Sequence, residues 1–538
     1  MTATEHQEIE RKYDVAGGAE LPSLVTLPGV DHVEVRPAEE LDAIYVDTAD
    51  LALARARITL RRRTGGKDAG WHLKLPARKD VRRELHAPLG EEPTREDGSL
   101  DLQRLQVPAE LLPHVLAHTR GRDITPVVRL TNQRTTAELY AGEQRTFLAE
   151  VCADRVTATP LREGLTASAW SEWEVELVDG PLSLLDAVEG VLLAAGARPA
   201  SGPSKLVRAL GSLAPRPVAI HAVPDRPTAG QVMMAALQST VERLKAEDAG
   251  ARLSAPDAVH QMRVASRRLR TLLSTYGPLL DPDTTTHLRE ELKVLAETLG
   301  GVRDSEVMRE RLLALVEAQP AQAVLGPVSE RIEAEMAKDY ARAHARLVRG
   351  LEHERYYALL DALDELVATP PTTPLAQEKA QLVVPRLLGR DWRRMRRAVV
   401  QATREDDPAR AEDALHEVRK GAKRLRYAAE STGVVLGLRA KQLARSAAAL
   451  SEVLGEHQDS VITQEAIRDL GMRAQRHGEP VHLRPAGGDR GGRARTARVQ
   501  GLPQGPRRRP QASPQGLEEG LSRAGLVGWG TDHLARRG

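Results

Sequence analysis

The sequence predicts an α+β protein: an antiparallel β barrel followed by an all-α bundle of two pseudo-symmetric halves. Three observations carry this reading. Short segments of period two run from Glu5 to about Val178. Long amphipathic helices run from about Thr228 to Ala474, after a proline-rich stretch, Gly211 to Pro227, that lacks helical periodicity. Within the helical region a basic motif occurs twice, as VHQMRVASRRLRTL from Val259 and LHEVRKGAKRLRYA from Leu415. A chain of 538 residues exceeds one core. The expected boundaries are 1–210 for the barrel, 211–227 for a linker, 228–477 for the bundle and 478–538 for a tail.

In order along the chain, the predicted strands are EIERKYDV, LDAIYVDT, ARITLRRR, WHLKLPA, VRRELHAPL, VVRLTNQR, TTAELYA, RTFLAEVCADRVTA and WSEWEVEL. Most are bounded by Gly, Pro or Asp. The helical runs between them, AELLPHVLAH and SLLDAVEGVLLAAG, are expected outside the sheet as supports. Charge alternates on one face: Glu8, Glu10 and Lys12; Arg61 and Arg63; Lys74; Glu172, Glu174 and Glu176. On a single strand this is an ordinary wet side. Repeated over several strands it predicts a polar lumen, and a closed barrel filled with charge makes sense only if the charges bind something. Arginine and lysine neutralise phosphate oxygens. Carboxylates hold Mg²⁺ or Mn²⁺, which bridges to phosphate.

In the helical region, His260, Arg263, Arg267 and Arg270, then His416, Arg419, Lys423 and Arg426, repeat the spacing i, i+3, i+7, i+10. Such positions span an arc of roughly 80° on a helix. Val259, Met262, Leu269 and Leu273 supply the apolar side. A second matched pair, LAETLGGVRDSEV from Leu295 and LSEVLGEHQDSVI from Leu450, follows at nearly the same offset, so the module is duplicated. A basic helix is ordinarily a solvated face. Retention of the same residue types at the same spacings in both copies points instead to a phosphate-rich ligand.

The two motifs, each followed by a Gly-x-x-Asp turn (Gly301 to Asp304, then Gly455 with Asp459), resemble the conserved-histidine α-helical domain, CHAD. That resemblance implies a groove for inorganic polyphosphate lined by His260, Arg263, Arg267, Arg268, Arg270, Arg303, His416, Arg419, Lys420, Lys423, Arg424, Arg426 and Tyr427. Gln458 replaces the first copy's Arg303. The opening Glu8-x-Glu10-x-Lys12, with LRRR, LKLP, RREL, EVEL and SKL in order behind it, resembles the CYTH superfamily of triphosphate tunnel metalloenzymes. This implies an eight-stranded antiparallel tunnel with Mg²⁺ or Mn²⁺ as cofactor. Glu8, Glu10, Glu172, Glu174 and Glu176 are then the metal set, and Glu8, Glu10, Lys12 and Glu84 the catalytic set. Lys12, Arg61, Arg63, Lys74 and Arg134 would grip phosphates, with Arg82 and His86 at the mouth. Asn132 stands where members often carry a second base.

The function expected is a metal-dependent phosphohydrolase of inorganic triphosphate or polyphosphate. A non-catalytic polyphosphate-binding protein is the alternative, as is a tunnel enzyme acting on an organic triphosphate, of adenylate cyclase or thiamine triphosphatase type. A Walker loop is absent, since GGKD at Gly65 to Asp68 lacks its spacing. One cysteine and scattered histidines argue against zinc, and Cys152 is expected to be a small apolar residue. Net charge is only +2 and aromatics are 3%, against a general nucleic-acid partner. No apolar run suits a membrane helix, so a cytoplasmic protein, associated with polyphosphate granules, is expected. From Gly478 the composition turns to Arg, Gly and Pro, leaving the second half incomplete by symmetry, through a shifted reading frame or a disordered basic tail. An exposed apolar face there would favour a homodimer.

Overall fold

A computed structural model describes residues 4–78, 81–202, 204–216, 220–319 and 327–455. Gln458, Asp459 and the 478–538 tail lie outside them. The chain forms two compact units, Met1–Ala219 and Ile220–Gly538.

The first unit carries β1 (Thr4–Val15), β2 (His32–Val35), β3 (Glu39–Asp47), β4 (Thr59–Thr64), β5 (Gly70–Arg78), β6 (Val81–Ala87), β7 (Thr125–Ala141), β8 (Thr146–Pro160), β9 (Ser168–Leu177) and β10 (Arg198–Pro199). Eight of them close in the order β1-β6-β5-β4-β3-β7-β8-β9, with β9 returning to β1. All these pairs are antiparallel. β2 adds to β7 and β10 to β1. The two segments VVRLTNQR and TTAELYA are one strand: Asn132 and Arg134 look like a polar break, yet they alternate inward while β3 and β8 pair the backbone on both sides.

The barrel is inside-out relative to a soluble sandwich. Outward residues Ile44, Val46, Leu60, Trp71, Leu73 and Leu85 pack with Leu53, Ile58, Leu111 and Val115. These last belong to the segments around the short helices α1 (Ala52–Arg55) and α2 (Leu116–Thr119). On another side Tyr13, Leu139, Val151, Trp173 and Val175 pack with Leu184, Leu185, Val188 and Leu192 of α3 (Leu182–Ala194). Apolar burial thus lies outside the barrel wall, which frees the inner face for charge. One end of the lumen is apolar, where Ala43, Tyr45, Val128, Leu130, Val156 and Ala158 meet Leu206, Ala209 and Leu210 of α4 (Lys205–Leu210). Ser204 caps α4 by accepting from the Val207 amide.

The second unit contains α5 (Ala229–Ala246), α6 (Asp248–Arg252), α7 (Ala258–Thr275), α8 (Pro282–Glu317), α9 (Val328–Leu351), α10 (Glu354–Ala368), α11 (Ala380–Thr403), α12 (Pro408–Ser431) and α13 (Gly433–Leu436). A further helix covers 438–455. The repeats fall on α7 and α12. Duplication is visible where the halves begin: the Ala229 amide donates to Glu378 O at 2.8 Å and the Ala380 amide to Pro227 O at 3.0 Å, a reciprocal pairing of the residues that open α5 and α11. Thr228 also closes a capping box with Gln231. Val259, Met262, Leu269 and Leu273 are buried as expected.

One expectation is overturned. Gly301 to Asp304 is no turn, because α8 runs unbroken through it. Burial of Leu299 and Val302 overrides weak glycine propensity. The neighbouring glycine has another use. A Cβ on Gly300 would sit 3.7 Å from Arg263 Nη2, and one on Gly455 3.1 Å from Arg419 Nη2, so each copy packs its motif arginine on a bare helix backbone.

Gly70 of β5 is similarly demanded by the lumen, since a Cβ there would lie 2.2 Å from His86 Nε2 and 2.6 Å from Ala87 O. Gly70→Ala is expected to destabilise the chain by about 1–3 kcal/mol through overpacking, measured by urea denaturation.

Candidate functional site

Strand register places the lumen groups. Glu10 lies opposite Glu176 and Lys12 opposite Glu174 across β1 and β9. Across β5 and β6, Lys74 faces Glu84 and His72 faces His86. Arg61 faces His72 on β4 and β5, and Arg134 faces Asp154 on β7 and β8. Glu8, Glu10, Glu84, Asp154, Glu172 and Glu174 are all buried.

Two networks organise these charges. In one, Lys74 Nζ lies 2.5 Å from Glu8 and 3.4 Å from Glu84. Glu84 also meets His72 Nδ1 at 2.7 Å, and Arg82 reaches Glu10 at 3.1 Å. In the other, Lys205 Nζ lies 2.7 Å from Glu172, 2.7 Å from Glu174 and 2.9 Å from Asp154. Arg134 makes two bonds of 2.7 Å to Asp154 and one of 2.6 Å to Glu174. Lys12 joins the two, pairing with Glu10 at 2.8 Å and also with Glu174. Asn132 donates to Asp154 at 2.9 Å, so it serves the acid rather than adding a base.

The balance is uneven. Burial opposes ionisation of Glu10, but Lys12 and Lys74 overcome it and hold its carboxyl down to about 2. Asp154 is likewise held to about 2, with Arg134 and Lys205 outweighing burial. Glu176 is pushed up by burial and by Glu10, Glu150 and Glu174, against the pull of Lys74. Carboxylates therefore exceed cations around Glu176. Arg63, which is 6% exposed, pairs with Asp68 through Nη2, yet burial, Arg61 and Arg134 lower its pKa and its Nε has no hydrogen-bond acceptor among the described residues. The Arg61 Nε is in the same state, although that side chain also donates to Tyr45 Oη at 3.2 Å.

The metal set expected from sequence converges in part. His6, Glu8 and Glu84 form one group whose ligand atoms lie within 4.8 Å of one another, and Asp154, Glu172 and Glu174 form another. Lys205 already fills the second with an ammonium. Carboxylate oxygens are the donors a hard cation takes, but among the described residues Glu10 and Glu176 belong to neither group, and Glu8, Glu10 and Glu174 are already paired with Lys74, Lys12 and Lys205. The histidines are less scattered than their sequence positions suggest. His6 lies 3.4 Å from Glu84, and the His72 and His86 rings are 4.9 Å apart. Cys152 lines the inner wall beside Thr136 at 3.6 Å, and burial pushes its thiol up to about 11, leaving it protonated.

On the helical unit the thirteen expected groove residues separate. His260 lies in the field of Arg303, Arg267 and Arg263, while Arg267 meets Tyr427 and lies in the field of Arg263 and Arg419. Burial first, and then these like charges, lower the pKa of both His260 and Arg267. Lys420 and Arg426 are exposed and pair with Glu417 and Glu430, both at 2.8 Å. Arg268 also reaches Glu430, at 3.4 Å. Arg270 and Arg424 face a different cluster, with Arg289. Seven residues of helix carry Arg270 about 10 Å along the axis from Arg263. His416 and Lys423 are half-buried on α12.

Family comparison agrees with both geometries. Residues 6–196 match the CYTH domain and residues 235–468 the CHAD domain. Uncharacterized protein Rv2226 of Mycobacterium tuberculosis is 38% identical over 491 residues, spanning 88% of this chain and 90% of its own length. The chain belongs to the CYTH–CHAD family. Similar solved structures include the CHAD domain of the plant Ricinus communis, at 21% identity and TM-score 0.38, covering 49% of this chain and 86% of that one. HpAC1 from Hippeastrum, described with a dominant triphosphatase activity, shares 19% identity at TM-score 0.22, covering 37% and 93%. No helix among the described residues is long and apolar enough to cross a membrane.

Sequence reasoning missed Asp154, Lys205, His72 and Glu150 of the CYTH lumen. Asp154 and Glu150 were available from the alternation Glu150, Cys152, Asp154, and Lys205 from the SKL element.

Glu8 sets a pH dependence. Burial, then the Glu84 contact, push its carboxyl from 4.5 up to about 8 against Lys74. The folded state then binds the extra proton, so this group's contribution to stability is full below the unfolded value and is lost as pH rises through about 8. Glu10 and Asp154 act oppositely, their contributions fading as pH falls through about 2. Glu8→Gln is expected to flatten the fall in melting temperature between about pH 4.5 and 8 while leaving the acid limb in place.

Proposed function

We propose that the CYTH domain hydrolyses phosphoanhydride bonds of inorganic triphosphate or polyphosphate with Mg²⁺ or Mn²⁺, and that the CHAD domain holds the polymer. One observation carries this reading: a single lumen contains both an excess of carboxylate, around Glu176, and guanidinium groups at Arg61 and Arg63 whose buried Nε atoms lack an acceptor. A phosphate chain with a hard cation supplies the complement of each.

Glu8, Glu10, Glu174 and Glu176 would hold a divalent ion, which would supply Lewis-acid activation of water and phosphate when bound. The chain's own groups do the rest. Arg61, Arg63, Lys74 and Arg134 orient the phosphates and stabilise charge on the transferred and leaving groups. Lys12 holds Glu10 and Glu174 ionised at the acidic end. Glu176, which burial and neighbouring acids make more basic, would accept a proton from water. Glu84, locked by His72 and Lys74, fixes the position of Glu8 through the shared lysine.

The deciding experiment is phosphate release from tripolyphosphate with Mg²⁺ or Mn²⁺. Glu10→Gln is expected to abolish release, and Arg63→Ala to lower it about 10²- to 10³-fold. Binding of tripolyphosphate without any release from it, from ATP or from thiamine triphosphate would favour the sensing alternative. Arg267→Ala combined with Lys423→Ala is expected to weaken long-chain polyphosphate binding about tenfold or more. If that variant and Glu10→Gln lost turnover and binding equally, with the fold intact, the division of labour would be wrong.

A further inference from the structure

The GGKD stretch at Gly65 to Asp68, which lacks the spacing of a Walker loop, lies in the turn between β4 and β5. Gly65 and Gly66 take φ values of 81° and 74°, a conformation that suits glycine. They also let the turn lie against β3, since a Cβ on Gly65 would sit 2.1 Å from Glu40 O and one on Gly66 2.9 Å from Leu41 Cδ2. In the barrel wall β3 separates β4 from β7. The turn leans over it, so that Lys67 Nζ lies 2.9 Å from Glu138 on β7 and 3.9 Å from Glu150 on β8. Val128 and Leu130, which meet α4, lie at the other end of β7 from Glu138.

The neighbours Lys67 and Asp68 bring opposite charges to opposite groups. Asp68 pairs with Arg63 through Nη2. Among the described residues, Lys12, Lys74, Arg134 and Lys205 find their carboxylates on strands, at Glu8, Glu10, Glu84, Asp154, Glu172 and Glu174. Arg63 takes its carboxylate from an exposed turn instead. That pairing is also half complete. An arginine presents Nε and Nη2 as two tines of one fork. Asp68 engages Nη2, while the buried Nε has no acceptor among the described residues. A phosphate, with an oxygen for each tine, fits this edge more fully.

Both turn side chains are held loosely. Asp68 is 58% and Lys67 68% exposed, and ion pairs so open to water are weak. Release of Lys67 leaves Glu138 paired, because Arg36 also donates to it at 2.7 and 2.9 Å and Tyr140 at 2.7 Å.

We propose that this turn is an internal competitor for the phosphate chain: the Asp68 carboxylate holds Arg63 until a phosphate displaces it, and Lys67 straps the turn over β3 to Glu138. The inference deepens the triphosphate reading of the tunnel and rests on it. Asp68 keeps the buried guanidinium paired while the tunnel is empty. Substrate reaches Arg63 only in chains whose turn has let go, so the observed affinity is the intrinsic one reduced by that fraction.

Calorimetric titration of the full chain with imidotriphosphate and Mg²⁺ reads binding without turnover, because the nitrogen bridges resist hydrolysis. Asp68→Asn is expected to bind about fivefold or more tightly than the wild type, even though its melting temperature falls. An Asp68 that merely supported Arg63 would lower the melting temperature and weaken binding together. Lys67→Gln, at an exposed position, is expected to tighten binding in the same direction and serves if Asp68→Asn fails to fold. Binding no tighter than the wild type in either variant, with binding lost in Arg63→Ala, would overturn the competing turn and keep the tunnel reading. No binding by any chain, or binding that Arg63→Ala leaves intact, would overturn both.

Discussion

Mutual neutralisation of charges inside a closed sheet is the constraint on which the first unit depends. A buried ammonium or carboxylate is tolerated only when paired and hydrogen-bonded. Lys205 meets three acids, Arg134 two, and Lys12 two. Because these pairs satisfy each other across strands, removal of any one partner strands several others. The lumen is therefore a single electrostatic object. It also has two poles, with Glu176 pushed up by the acids around it and Arg63 pushed down by burial and by Arg61.

The outer helices make this interior affordable. Apolar area that a sandwich would bury between two sheets is buried here between strand and helix, at Trp71, Trp173, Leu184 and Leu192. Helix α4 contributes twice, sealing one end with Leu206 and Leu210 and presenting Lys205 to the acids. In the helical unit the same economy recurs in another form. Glycines at 300 and 455 let Arg263 and Arg419 lie against a helix backbone, where Arg263 also donates to Asp304 at 3.0 Å.

Much of this was legible from residues alone. Period-two charge on β1, β4 and β9 gave the polar lumen, because strand geometry ties alternation to facing. The repeat gave the two halves, since register at two separate motifs is hard to produce otherwise. What escaped was whatever depends on which strands become neighbours. The convergence of His6 and His72 on Glu84, with the His86 ring beside that of His72, is a matter of β1-β6-β5 order, which no local pattern encodes. Asp154 was hidden beside Cys152, in a strand whose thiol is its more conspicuous group. The turn expected at Gly301 failed because local glycine preference is weaker than the burial of Leu299 and Val302. The separation of the expected groove residues on α7 and α12 depends on how far along its helix each one sits, which spacing on a helical wheel discards.

Closure of the barrel by β1 against β9 has a kinetic consequence. Ile9 pairs with Leu177, so β1 cannot complete its ladder until β9 has emerged from the ribosome. Pairings between such distant residues are slow because chain entropy must be surrendered before they form. During that interval β1 offers β6 one edge and leaves the other open, with Glu8, Glu10 and Lys12 on its inner face. Charged residues on an unpaired edge discourage annealing to other nascent chains. The charges that later fill the closed lumen thus also act as the nascent strand's protection against aggregation.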